Sequence, residues 1–157
     1  MKQSINQKIL WVDDTFVNEL HEVMAYVDEL KYSGGFDVVK IAHPDKAADI
    51  LEKGEEEFAC IILDIMMPYG TRLGRAETDS GLLTGTVLAR KIREKDGKYQ
   101  KYQKVPIVLL TGVRQVYEIL TKNENGFPCL FKANVSAEEF LEAIKNAIEN
   151  HDGGNHE

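Results

Sequence analysis

A doubly wound α/β fold with a parallel five-stranded sheet is the class this sequence predicts, and three observations lead there. Short apolar runs alternate with longer stretches of helical periodicity five times along the chain. The strongest run is apolar on both faces, as a strand covered by helices on either side must be. At 157 residues the chain has the length of one domain. That domain is placed at residues 1–150, with an insertion at about 69–80, and residues 151–157 read as a polar, Gly-containing tail that frays.

The elements follow in order. Ile9-Leu10-Trp11-Val12 is a short buried strand ending at two acids. Val17, Leu20, Met24 and Val27 recur at helical spacing, and Gly34-Gly35 stops that helix. Phe36 to Ile41 is a second strand, and its polar Asp37 and Lys40 suggest an edge. Pro44 opens a helix carrying Ala47, Ala48 and Leu51, with Gly54 as its stop.

Phe58 to Leu63 is the strongest strand and should be central. Leu82, Leu83, Val87, Leu88 and Ile92 make the third helix. Val105 to Leu110 is the fourth strand, with Pro106 tolerable at its start. Val113, Val116, Tyr117 and Leu120 indicate a fourth helix, and Pro128 to Phe131 a short fifth strand. Ser136 with Glu139 forms a capping box ahead of the stripe Phe140, Leu141, Ile144 and Ile148. Tyr69 to Ser80 breaks the rhythm: a long loop without periodicity, of the kind that is functional or mobile.

Composition bounds the function. Apolar residues make up 43% and charged residues 29%, the balance of an ordinary soluble globular chain. A net charge of −7 disfavours direct binding to nucleic acid, which needs clustered cations. Two cysteines, Cys60 and Cys129, give neither a disulfide framework nor a cysteine-rich zinc site. The opening Met1 to Lys8 has no apolar core of a signal peptide, and the longest apolar run is far short of the ~20 residues that span a bilayer. These features predict a cytoplasmic protein without membrane contact; the sequon Asn134-Val135-Ser136 is then a chance match.

In a parallel α/β sheet, ligands bind outside the carboxyl ends of the strands. The residues at those ends are Asp13 and Asp14, Asp64, Thr111 and Lys132. Three clustered carboxylates repel one another unless a cation neutralises them. Oxygen ligands suit a hard ion such as Mg²⁺, while a hydroxyl and an ammonium suit phosphoryl oxygens. The cluster therefore suggests Mg²⁺-dependent phosphoryl transfer onto an aspartate. Each residue alone has a plainer reading: Asp13 and Thr111 as helix caps, Asp64 as a loop acid, Lys132 as an exposed lysine.

From about Lys8 to Asn150 the chain resembles the receiver domains of two-component response regulators. The likeness rests on Ile9-Leu10-Trp11-Val12-Asp13-Asp14, Leu63-Asp64-Ile65-Met66-Met67-Pro68, Leu110-Thr111-Gly112 and Phe131-Lys132. It implies a flavodoxin-like (βα)5 sheet of strand order 2-1-3-4-5, in which strand four would separate Cys60 from Cys129 and forbid a disulfide. Asp64 would accept phosphate from a histidine kinase or phosphotransfer protein. Asp13, Asp14, Asp64 and the Met66 backbone carbonyl would hold Mg²⁺, and Thr111 and Lys132 would contact the phosphoryl group. The implied protein is a stand-alone switch that signals by contact with a downstream protein, not an enzyme beyond its own phosphorylation and slow dephosphorylation.

Four departures stand out: Ala133 where proline usually follows the lysine, Cys129 where an aromatic usually stands, a longer loop after Pro68, and no output domain. They motivate an alternative, an interaction module of the same fold that is never phosphorylated. An aspartate-based phosphatase ranks last, because the position two after Asp64 is the apolar Met66.

Overall fold

Five short strands carry the framework: β1 (Lys8–Val12), β2 (Asp37–Ile41), β3 (Cys60–Asp64), β4 (Ile107–Thr111) and β5 (Cys129–Phe131). In the computed structural model, which describes residues 6–18, 23–122 and 126–154, they pair in parallel in the order β2-β1-β3-β4-β5. The helices between them are α1 (Met24–Asp28), continued by a π-helical turn (Glu29–Ser33), α2 (Pro44–Lys53), α3 (Thr84–Arg93), α4 (Arg114–Lys122) and α5 (Ala137–Gly154). No helix among the described residues is long and apolar enough to cross a membrane.

The two-residue period of the strands sorts their side chains onto opposite faces. Leu10, Val12, Ile61, Leu63, Ile107 and Leu109 meet Ala47, Ala48 and Leu51 of α2, Leu88 and Ile92 of α3, and Leu120 of α4. Ile9, Trp11, Cys60, Ile62, Val108 and Leu110 meet Val27 and Leu30 of the first helix, and Phe140, Leu141 and Ile144 of α5. Trp11 stacks on Phe140 with ring centroids 5.2 Å apart. Cys60 is buried on this second face while Cys129 packs against the first, so strand separation and opposed faces both keep the thiols apart.

Several local readings hold in detail. Gly54 ends α2 in the left-handed region at φ 63°, its N–H donating to the Ile50 carbonyl. The capping box forms: the Glu139 N–H donates to Ser136 Oγ at 3.1 Å, and the Ser136 N–H to Glu139 Oε1 at 3.4 Å.

Others are corrected. Asp14–Val17 is a 3₁₀ turn that ends at the extended Asn18, so the helical phase does not run from Val17. Val17 is 76% exposed and Met24 38%, and Val23, Val27 and Leu30 carry the buried stripe instead. Leu20 lies outside the described residues. Leu82 is 46% exposed because α3 starts only at Thr84. The final helix runs on to Gly154, into the segment read as a tail, and His151 is half-buried; residues 155–157 are outside the description.

The long connection after β3 is pinned rather than loose. Leu73 and Thr78 are fully buried. Asp45 of α2 accepts hydrogen bonds from the Thr71 N–H (3.0 Å), the Thr71 hydroxyl (3.1 Å) and the Arg72 N–H (3.0 Å). Arg72 pairs with Asp49 and Glu52 on the same helix, and Glu77 pairs with Lys91 of α3 at 3.2 Å. Burial would raise the Asp45 pKa, but the Thr71 and Arg72 donors outweigh it and hold the carboxyl below its usual value. A lowered folded-state pKa contributes stability that is full above the unfolded value and is lost as pH falls through the folded value. Asp45→Ala should therefore speed amide exchange across residues 70–74 at neutral pH, with a stability loss of about 1 kcal/mol. The mutant and the wild type should converge only well below the ordinary aspartate value, once the lowered folded-state pKa has been crossed, and hydrogen-exchange mass spectrometry at neutral and strongly acidic pH checks this.

Candidate functional site

The carboxyl ends of β1, β3 and β5 converge at one edge of the sheet. Asp13 follows β1, and its N–H continues the ladder by donating to the Ile41 carbonyl of β2 at 2.9 Å. Its Oδ1 accepts from the Thr15 N–H at 3.0 Å and the Thr15 hydroxyl at 2.8 Å, so Asp13 does cap the following turn. That role occupies one oxygen; Oδ2 lies 3.1 Å from Lys132 Nζ. Asp64 is the last residue of β3, with Oδ1 3.9 Å from the same ammonium. Oxygens of Asp13, Asp14 and Asp64 all lie within 4.8 Å of one another.

Electrostatics follows from that crowding. Asp13 and Asp64 are buried and Asp14 is half-buried. Burial pushes the Asp64 carboxyl up, the charges of Asp13 and Asp14 push it further, and Lys132 opposes only in part. Three acids against one ammonium leave a net negative site, and its donors are all hard oxygens.

The next residues add a further oxygen. The Ile65 carbonyl accepts from the Gly85 N–H at 2.9 Å, and the Met67 carbonyl from the Thr84 hydroxyl at 2.7 Å. Between them, the Met66 carbonyl accepts no hydrogen bond among the described residues. An all-oxygen, under-neutralised donor set of this kind fits a hard divalent cation such as Mg²⁺.

Thr111 ends β4, buried, and its Oγ accepts from the Val113 N–H at 3.1 Å, leaving the hydroxyl proton to donate elsewhere. It thus begins the turn into α4, as the plainer reading has it, at the strand end beside Asp64. Lys132 opens a 3₁₀ turn (Lys132–Asn134) after β5. The Tyr26 hydroxyl lies 2.7 Å from the Lys132 carbonyl and 2.6 Å from the Val135 carbonyl, sharing its proton between them. With Ala133 in place of proline, this contact with α1 shapes the loop. Tyr26 escaped the sequence reading because it lies beside the apolar stripe of its helix, with no motif around it.

The basic residues of the long connection are held within it and by α2: Arg72 pairs with Asp49 and Glu52, and Arg75 Nε donates to Ser80 Oγ at 3.4 Å. Glu77 is committed to Lys91 and to the Gly74 N–H, so it is not a spare acid for the site. Cys129 is half-buried, its thiol pushed up to about 11 by burial. The aromatic bulk sits two residues on, where Phe131 pairs in register with Thr111, stacks on Tyr117 at 5.8 Å and lies under the Arg114 guanidinium at 5.6 Å.

A buried carboxylate cluster thus sits at the carboxyl edge of a 2-1-3-4-5 parallel sheet, and solved structures share that fold. The chain is similar to a CheY-like receiver domain protein from Methanospirillum hungatei JF-1 (15% identity, 96% of this chain and 99% of that one, TM-score 0.63). It is likewise similar to the chemotaxis response regulator CheY4 of Vibrio cholerae (20% identity, 91% and 99%, TM-score 0.61). The chain is also similar to the receiver domain of the hybrid histidine kinase CckA (20% identity, 90% of this chain and 98% of that one, TM-score 0.56). No family model and no curated protein matches the chain. The fold is that of response regulator receiver domains.

The raised Asp64 pKa has a testable sign. A carboxyl that holds its proton more tightly when folded destabilises the fold once pH exceeds its unfolded value, near 4. Without divalent cations, Asp64→Asn should therefore stabilise the protein at pH 7–8 by on the order of 1–3 kcal/mol. The gain should vanish below about pH 4, where both states are protonated. Thermal melts in chelator across that range check it.

Proposed function

We propose that this chain is a phosphoacceptor receiver domain of a two-component relay, with Asp64 as the acceptor. The observation that carries the reading is the convergence of Asp13, Asp14, Asp64 and Lys132 from three strand ends of this fold. The Asp64 carboxylate would attack the phosphorus of a phosphohistidine, forming a carboxyl–phosphate bond as the phosphorus–nitrogen bond breaks and the imidazole leaves. Asp13, Asp14, Asp64 and the Met66 carbonyl would hold Mg²⁺, whose positive charge would favour the ionised form of these carboxylates. The Lys132 ammonium moves its attraction onto a phosphoryl oxygen, and the Thr111 proton donates to another. The donor is a histidine kinase or phosphotransfer protein; the output is contact with a downstream protein, in the cytoplasm and without DNA or membrane.

Purified protein given acetyl phosphate and Mg²⁺ should gain the mass of one phosphoryl group, and Asp64→Asn should gain nothing. Millimolar Mg²⁺ should also raise the wild-type melting temperature, and Asp14→Ala should lose that response. The absence of an aromatic residue at Cys129 favours a second reading, an interaction module that is never phosphorylated; it gives no mass gain with either protein.

The lifetime of the phosphorylated state follows from the lining. Hydrolysis needs a water held in line with phosphorus, usually by a polar side chain. Met66 and Val113 are half-buried, apolar and unable to hold water strongly, and Glu77 is engaged elsewhere. Self-dephosphorylation should be slow. Met66→Asn or Val113→Glu should speed it by roughly tenfold, a modest share of what a positioned polar group contributes. Phosphoprotein decay after donor removal measures it, and rapid wild-type loss unaffected by either change refutes the account.

A further inference from the structure

Thr84 and Gly85, the first two residues of α3, lie outside the carboxylate cluster, yet both press on the backbone that follows Asp64. Thr84 is fully buried, and its hydroxyl donates to the Met67 carbonyl at 2.7 Å, with the Gly81 carbonyl at 3.2 Å. Gly85 places its N–H 2.9 Å from the Ile65 carbonyl. A Cβ on Gly85 would fall inside contact distance of the Asp64 carbonyl oxygen and 2.9 Å from Ile65 Cα, so this approach requires glycine.

The chain goes to some cost to bring this turn into place. Asp79 (φ 52°), Ser80 (φ 57°) and Gly81 (φ 97°) are three consecutive left-handed residues, two of them bearing side chains. Gly81 is held against the Met67 carbonyl, where a Cβ would lie 2.8 Å away. The Gly81 N–H donates to Thr78 at both its carbonyl and its hydroxyl, each 3.2 Å away, and the Leu83 N–H donates to the Thr78 carbonyl at 2.9 Å. Strain of this kind persists only where surrounding contacts over-determine it.

The consequence lies in which carbonyl is left over. Of the three that follow Asp64, those of Ile65 and Met67 are taken by Gly85 and Thr84. Only the Met66 carbonyl remains without a donor among the described residues, and its two neighbouring peptide planes are fixed. We propose that Thr84 is a positioning residue for cation binding: by occupying the Met67 carbonyl it fixes the peptide that presents the Met66 carbonyl to the carboxylate cluster. This rests on the reading of that cluster as a Mg²⁺ site. The hydroxyl touches neither cation nor carboxylate in this role; it acts through the backbone, as partners of metal ligands do elsewhere.

Calorimetric titration of Mg²⁺ into wild type, Thr84→Ala, Thr84→Ser and Thr84→Val, each checked for folding by circular dichroism, tests it. Alanine and serine differ only in the hydroxyl, while valine keeps the volume. Alanine and valine should weaken Mg²⁺ by about tenfold, and serine should stay within about twofold of wild type. If alanine does not fold, the valine–serine pair carries the comparison. Equal affinity in all four proteins, or a serine loss as large as the alanine loss, overturns the inference. Asp14→Ala separates the two levels. Loss of Mg²⁺ binding there with none at Thr84 leaves the site reading standing and removes only the positioning role. Absence of Mg²⁺ binding in the wild type overturns both.

Discussion

Like-charge repulsion at the carboxyl edge of the sheet is the constraint on which this structure turns. Asp13 and Asp64 are buried together with Asp14 beside them, and among the described residues Lys132 alone is the ammonium that answers them. Lys132 sits closer to Asp13 than to Asp64, 3.1 against 3.9 Å. Coulomb attraction falls with distance and Asp13 also holds the Thr15 donors, so Asp64 is the least compensated of the buried pair. Removing a carboxylate from water without full pairing is expensive. The group that bears this penalty is also the one best placed to be relieved by a cation or by reaction with an electrophile.

That arrangement is possible only because the framework around it is stiff. β1 and β5 are separated by β3 and β4, so an ion pair between Asp13 and Lys132 spans the middle of the sheet. The lysine is delivered inward by a 3₁₀ turn whose carbonyls are tied to Tyr26 across the sheet edge. Tyr26 is in turn packed on Phe140 at 4.9 Å, and Phe140 on Trp11 of β1. The backbone of Lys132 is thereby anchored to the same layer that carries Asp13.

Much of this was legible in the sequence, for a definite reason. Strands buried on both faces write themselves as continuous apolar runs, and the polar residues that end such runs meet at the carboxyl edge of the sheet. Asp13, Asp14, Asp64, Thr111 and Lys132 were found that way. Signals confined to one turn, such as Ser136 with Glu139 or the left-handed Gly54, were equally readable. What failed was phase and partnership. Val17 fits a helical spacing that an extended Asn18 interrupts, and Leu82 precedes a helix that a run of left-handed residues delays. Nothing local to Arg72 in the sequence reveals Asp49 and Glu52 beside it. Tyr26, Thr84 and Gly85 act through backbone carbonyls, which have no sequence signature at all.

The long connection between β3 and α3 makes sense once its end points, rather than its length, are taken as the quantity under constraint. Doubling a loop costs only about 0.6 kcal/mol in closure entropy. Burying Leu73 and anchoring Thr71 and Arg72 on Asp45 offset a term of that size. Displacing the peptides at Ile65 to Met67 would be a different matter, because the Asp64 carboxylate and the Met66 carbonyl both depend on their placement. The extra residues are accordingly laid against α2 and α3, by Arg72 on one side and Glu77 with Lys91 on the other. The left-handed turn at Asp79, Ser80 and Gly81 then returns the chain so that α3 meets β3 through Thr84 and Gly85. Length is accommodated at the surface, and the geometry at the strand end is held.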